Sequence, residues 1–255
     1  MTNDLMKYKE DVTKVFGLGV DVLNVARSLN TISFDLKLLA INGIVQASKI
    51  GNKQGQSLIT LSGFLSSLPV QIAPELSDLE ELSRELSTQI TITSIAVRKF
   101  ILYSNGFYRV ISKLKNSTNS SVNMLSSREL NKIGNSPYIK LANDEQKQNL
   151  EFIAKTILKI MSDLNELLSS SQIIISRSKM KIEKIRRNGF IANYMGSNIS
   201  IESAYLTRKN KNFDDLVNNI KEIVNTLNMR LDDIMDKINE GQKLLDSLIN
   251  SRIIK

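Results

Sequence analysis

FDLKLLAINGIVQASKIGNKQGQSLITLSGFLSSL, Phe34 to Leu68, is the stretch whose reading decides the fold. Apolar residues at helical spacing run up to a short polar segment, GNKQGQ, and resume beyond it. The segment supplies Gly51, Asn52 and Gly55, residues that tolerate the positive φ a tight reversal needs. The stretch therefore predicts a helix, a turn at Gly51–Gly55 and a second helix returning beside the first. A weaker copy, FIANYMGSNISIESAYLTRKNKNFDDLVNNIKEIV, lies about 156 residues downstream at Phe190 to Val224. Its reversal falls at about 207–212 and uses the polar run RKNKN in place of glycine.

Outward from the first reversal, residues 4–50 read as one helix. Val15, Leu18, Val22, Val25, Leu29, Ile32, Leu36, Leu39 and Gly43 alternate spacings of three and four, a heptad seam. A second line, Phe34, Leu38, Ile41 and Val45, suggests an apolar face that widens where several helices meet. The returning helix carries Leu58, Leu61, Leu65, Leu68, Ile72, Leu76, Leu79, Leu86, Ile90 and Val97 on one stripe. Pro69 and Pro74 predict a kink or short break over 68–75, since each removes a backbone donor and crowds the carbonyl four residues back. Residues 116–143, rich in Asn and Ser, read as a polar linker. A third helix starts at Asn143-Asp144, where Asn or Asp caps it, and runs to about Thr207. A fourth starts near Phe213.

Two tandem hairpins, 1–115 and 144–255, thus present apolar stripes that need covering. The economical arrangement is all-α: one long antiparallel four-helix bundle, a coiled-coil rod with both tips at one end. A helix of 47 residues would be about 70 Å long.

The composition excludes much chemistry. Among 255 residues there is no cysteine and no histidine, which removes thiolate nucleophiles, disulfides, the commonest general base and the commonest metal ligands. No phosphate-binding glycine loop or nucleophile elbow occurs. The carboxylate pairs Glu80-Glu81 and Asp232-Asp233 sit amid Lys and Arg and read as surface ion pairs. No catalytic residue, metal site or cofactor is expected, and the chain does not read as an enzyme. The net charge is +8, and the run Lys179, Lys181, Lys184, Arg186, Arg187 is basic. Lys and Asn are abundant throughout, as in the product of an AT-rich genome, and no groove-reading motif accompanies the run, so a solvated face is expected and nucleic acid is not. There is no unbroken apolar run of 18 residues and no basic-then-apolar leader, so neither membrane insertion nor secretion is expected.

The two reversals resemble the cytoplasmic signalling hairpin of methyl-accepting chemotaxis proteins, whose tip reads roughly F-x-T-N-x-L-A-L-N-A-A-[IV]-E-A-A-R-A-G-E-x-G-x-G-F. Phe34 and Asn42 keep that family's eight-residue spacing; Gln46 stands for its Glu, Lys49 for its Arg, and Gly51 keeps its place, while Leu58 replaces the following Phe. In the second copy Phe190 and Asn198 repeat the spacing, Ile201, Glu202 and Ala204 match I-E-x-A, Tyr205 replaces the Arg, and Phe213 matches the Phe beyond the turn. The likeness covers about 30–35 residues per hairpin. It implies a covalent pseudo-dimer that packs with receptor-like bundles, or with itself, through Phe34, Asn42, Gln46, Lys49, Phe190, Asn198, Glu202 and Tyr205. It also implies docking of a chemotaxis-type histidine kinase and its coupling adaptor around Leu38, Ile41 and Leu61, in the cytoplasm of a bacterial cell within a receptor array. The family's methylation pattern is not evident, Glu80-Glu81-Leu82-Ser83 being the nearest candidate. The competing expectations are a structural helical-bundle assembly protein without a chemotaxis role, and a binder of nucleic acid or anionic surfaces acting through the net charge.

Overall fold

The computed structural model describes residues 2–51, 53–115, 130, 142–205 and 211–251, the side chains of 2–6, 9, 54, 114–115 and 211–213 excepted. Among the described residues four long helices follow one another: α1 (Thr2–Ser48), α2 (Lys53–Lys115), α3 (Asp144–Ala204) and α4 (Lys211–Ile249). Among the described residues there is no strand. The architecture is the all-α four-helix bundle that the two hairpins require. The linker expected over 116–143 lies outside the described residues except for Leu130, Ala142 and Asn143, as do the second reversal over 206–210 and the side chain of Phe213.

The caps follow from local chemistry. At the start of α3 the Gln146 backbone N–H donates to Asn143 Oδ1 at 2.8 Å, and the Asn143 N–H donates to Gln146 Oε1 at 3.1 Å. This reciprocal box satisfies two donors that a helix start leaves free. At the end of α1 the last turn tightens: Lys49 N–H donates to Gln46 O at 3.2 Å and Ile50 N–H to Ala47 O at 3.1 Å. Gly51 then takes φ +71° and reverses the chain. Gly55, expected in the turn, lies within α2. A Cβ there would stand 2.8 Å from the Ala47 carbonyl oxygen, so glycine serves close approach of the two helices rather than backbone reversal.

The chain divides into two compact units, and each draws on all four helices. The first comprises Met1–Leu18, Leu86–Ile174 and Glu240–Lys255, the second Gly19–Glu85 and Ile175–Asn239. The first unit is cored by Val12, Val15, Leu86, Ile90, Val97, Phe100, Phe107, Ile111, Leu150, Ile157, Leu164, Leu168 and Leu245. It also buries Tyr8, whose hydroxyl finds no partner and whose pKa burial pushes up.

The second unit contains both reversals. One apolar cluster joins Leu36, Ala40 and Ala47 of α1, Leu58, Leu65 and Leu68 of α2, Ala192 and Ile199 of α3, and Leu216, Val217, Ile220 and Val224 of α4. Because Ala47, Leu58, Ile199 and Leu216 all lie within about a turn or two of a helix end, the ends at Ser48, Lys53, Ala204 and Lys211 gather at the same end of this unit. Glycines set the spacing. A Cβ on Gly43 would come within 2.6 Å of Ser62 Oγ and 3.1 Å of Leu216 Cδ2, and one on Gly196 within 2.9 Å of Ile220 Cγ2.

Two expectations need correction. Helix α2 runs through Pro69 and Pro74 without a break. Leu65, Leu68, Ile72, Leu76 and Leu79 are all buried on its inner face, and tertiary packing on both sides of the prolines outweighs the lost backbone bonds. The second line of α1 does not widen the core: Phe34, Leu38, Ile41 and Val45 are exposed. They stand two positions out of step with the buried line Leu36, Ala40, Gly43, Ala47, about 200° around the helix at roughly 100° per residue.

By length and composition alone, one stretch of α2 within Gly55–Lys113 is apolar enough to cross a membrane. Ser, Thr and Gln punctuate it, which is why no unbroken run stands out in the sequence, and about a third of it is buried within the bundle.

The glycine contacts make a paired prediction. Gly43→Ala places a methyl against Ser62 and Leu216 and lowers unfolding stability by about 1–3 kcal/mol. Gly17→Ala, where nothing lies within 4 Å of the new Cβ, raises it by about 0.5–1 kcal/mol through helix propensity. Thermal or denaturant unfolding of the two variants checks both signs.

Candidate docking surface at the helix reversals

On α1 of the second unit the side chains turned outward are Phe34, Leu38, Ile41 and Val45, with spacings of four, three and four. Phe34 is 58% exposed. The equivalent line on α3 is Phe190, Tyr194, Ile201 and Tyr205, with Ile191 at its edge; Phe190 is 62% and Tyr205 69% exposed. Phe34 corresponds to Phe190, Leu38 to Tyr194, Val45 to Ile201 and Lys49 to Tyr205. α1 and α3 therefore leave large apolar side chains uncovered at matching positions, 156 residues apart. Phe64 and Val70 add to this surface from α2. Between Gln54 and Pro74 α2 carries no charged residue, nor does α1 between Leu38 and Ser48.

The residues expected to form the tip surface divide into two groups. Phe34, Leu38, Ile41, Asn42, Lys49, Phe190 and Tyr205 are exposed. Gln46, Asn198 and Glu202 are half-buried, and Gln46 Oε1 is buried without a hydrogen-bond partner. Leu61 packs against the apolar cluster and is part of the bundle wall, not of the outer stripe. Asn42 reaches solvent and so carries no burial cost. Val45, Tyr194, Ile191 and Phe64 were not singled out as docking residues from the sequence. Their signal was the phase of the stripe: a second run of threes and fours, out of step with the buried one, marks a second apolar face.

Farther from the reversals an ionic tie joins α2 to α3. Lys181 Nζ lies 2.8 Å from Glu75 Oε2 and also pairs with Asp78, and Lys184 Nζ lies 3.1 Å from Glu75 Oε1. Arg186 binds Glu183 at 3.1 Å and reaches Asp232 on α4 at 2.6 Å. Lys237 of α4 meets Asp21 of α1 at 2.8 Å. Three of the five residues in the basic run are thus engaged by neighbouring carboxylates, which leaves little of it for a polyanion. Glu80 receives Asn30 Nδ2 at 2.7 Å and Arg84 at 3.0 Å. Among the described residues no group of three or more acidic side chains is gathered tightly enough to hold a metal.

The hydrogen bond from Lys181 is the largest influence on Glu75 and on Asp78, and it holds both carboxyls below their usual range. The bonds to Asp78 and Glu75 in turn raise the Lys181 ammonium. The depressed carboxylates contribute stability that is present above the ordinary carboxylate range and is lost as pH falls through their lowered pKa. The raised Lys181 contributes below the ordinary lysine pKa, and loses this as pH rises through the raised value. The tie is therefore intact across neutral pH.

The chain matches no protein-family model, no curated protein and no solved structure.

Lys181→Met is expected to lower the melting temperature at neutral pH and low salt. The difference narrows at high salt, where exposed ion pairs are screened, and in acid, as pH falls through the lowered carboxyl pKa values of the wild type and its carboxylates become protonated too. Melting curves over pH and salt test this.

Proposed function

We propose that the chain is a chemoreceptor-like signalling scaffold, a covalent pseudo-dimer of two receptor-type hairpins. It docks a chemotaxis-type histidine kinase or its coupling adaptor, or packs beside receptor bundles, through the surface around its reversals. One observation carries the reading: uncharged stripes of large apolar side chains stand uncovered at equivalent positions of both tips, Phe34–Val45 and Phe190–Tyr205, inside one four-helix unit. Water-exposed aromatics in contiguous lines mark an interaction surface, and uncharged ones suit another protein better than a polyanion. The F-x7-N spacing in both copies supplies the family to which that partner belongs. The role is that of a binding component without chemistry of its own.

The two tips have drifted differently. Gly51, Gly55 and Lys49 belong only to the first, Glu202 and Tyr205 only to the second. The docking surface is accordingly asymmetric, and one tip contributes more to each partner than the other.

Pull-down of the full chain with the kinase and adaptor of its own cell is the direct test. The triple variant Phe34→Ala, Asn42→Ala, Glu202→Ala is expected to weaken capture by about tenfold or more, as removal of central apolar anchors does. Its melting temperature should stay near that of the wild type, because none of the three side chains is buried in the core. Undiminished capture by the variant, or no capture by the wild type, removes the assignment.

A further inference from the structure

The second half of α2 has an outer face unlike that around the reversals. Between Leu86 and Lys115 there is no acidic residue, and there are five basic ones: Arg98, Lys99, Arg109, Lys113 and Lys115. The inner face of this stretch is committed to the first unit's core through Leu86, Ile90, Val97, Phe100, Phe107 and Ile111. On the outer face one line alternates threes and fours: Ile92, Ile95, Lys99, Leu102, Gly106, Arg109, Lys113. Ile92 is 46%, Ile95 49% and Leu102 71% exposed. Arg98, Lys99, Arg109 and Lys113 are exposed as well, and no ion pair holds any of them among the described residues. From Ile92 to Lys113 the line is about 30 Å long at 1.5 Å per residue.

Among the described residues, the acidic side chains of the first unit sit on other helices, Asp144 on α3 and Glu240 and Asp246 on α4 among them. Glu10 and Asp11 of α1 are occupied by Lys14 at 3.0 and 3.9 Å. Glu145, Glu151, Asp163 and Glu166 belong to α3. The acid-free, apolar and basic line is a property of α2 alone.

We propose that this face of α2 adsorbs to an anionic phospholipid surface, with Ile92, Ile95 and Leu102 dipping among the acyl chains and Arg98, Lys99, Arg109 and Lys113 set among the headgroups. Two features of the line select that occupant. Its charge is complementary to anionic lipid, for which each basic residue near the surface adds about a fivefold factor in binding. Its uncovered aliphatic side chains alternate with the cations along a helix lying flat, the arrangement of interfacial helices. A nucleic acid would use the cations but leave the aliphatics in water, and among the exposed residues of this line there is no aromatic platform for bases. The proposal concerns the first unit and is independent of what docks at the reversals.

Flotation of the full chain with vesicles tests it. Binding is expected to vesicles with about one-third phosphatidylserine and not to phosphatidylcholine alone, and it should weaken steeply as salt rises. Arg98→Gln with Arg109→Gln should weaken it about 25-fold. Ile95→Ser with Leu102→Ser should weaken it about tenfold. Met229→Ser, on the other unit, should leave it unchanged. All these side chains are exposed, and unchanged helical circular dichroism verifies that the variants fold. Failure to bind anionic vesicles, or equal binding to neutral ones, overturns the proposal. So does an Ile95→Ser, Leu102→Ser variant that binds as well as the wild type while duplex DNA or polyglutamate displaces the protein fully; that result would reassign the basic line to a polyanion.

Discussion

Tight packing of neighbouring helices against Gly43, Gly55 and Gly196 is the constraint on which the second unit depends. A β-carbon at Gly55 would meet a backbone carbonyl of α1, and one at Gly43 or Gly196 the side chains of Ser62 and Leu216 or of Ile220. α1 and α3 supply small residues, Ala40, Gly43, Ala47, Ala192 and Gly196. α2 and α4 supply the bulk, Leu58, Leu65, Leu216, Ile220 and Val224. Large side chains of one pair of helices thus fill the space left by the small ones of the other, as dense packing demands. Matching positions in the two halves differ in size: Leu36 against Ala192, Gly43 against Ile199. The duplicated hairpins are consequently complementary rather than interchangeable.

That packing also explains the uncovered stripes. With Leu36, Ala40, Gly43 and Ala47 turned inward on α1, and Ala192, Gly196 and Ile199 on α3, the apolar residues two positions out of phase stand about 200° around each helix and have no place inside. Phe34, Leu38, Ile41 and Val45, with Phe190, Tyr194, Ile201 and Tyr205, are left on the outside. An isolated exposed leucine means little, but lines of them repeated on two helices at equivalent positions are a surface with a use. The ionic ties, Lys181 with Glu75 and Asp78, Arg186 with Asp232, Lys237 with Asp21, lie on other flanks and bind neighbouring helices to one another. These ion pairs tie helices of this unit to one another, while the apolar exterior stays uncovered.

The first unit reverses that division. Its α2 segment buries one apolar face and shows a second, now mixed with arginine and lysine that no ion pair holds among the described residues. One helix therefore carries two kinds of outer surface along its length, neutral and apolar near the reversal, basic and apolar toward Lys115. The change follows the sequence directly, since no charge occurs from Gln54 to Pro74 and only positive charge from Leu86 to Lys115.

Much of this was legible in the chain alone. The heptad seam of α1, the glycine reversal at Gly51, the cap at Asn143 and the four-helix count all follow from periodicity and local turn chemistry, because helices are written in near-neighbour spacing. The lack of His and Cys side chains is likewise a property of the sequence, wherever it folds. Tertiary structure alone decided which of two overlapping apolar lines on α1 faces inward, because periodicity reports an angle and not the position of a neighbour. It also decided that α2 stays helical through Pro69 and Pro74, where packing outweighs local propensity. Gly55 took its role from a carbonyl on another helix, and Lys181 and Arg186 became bundle ties through carboxylates distant in sequence, contacts that exist only once the helices are side by side.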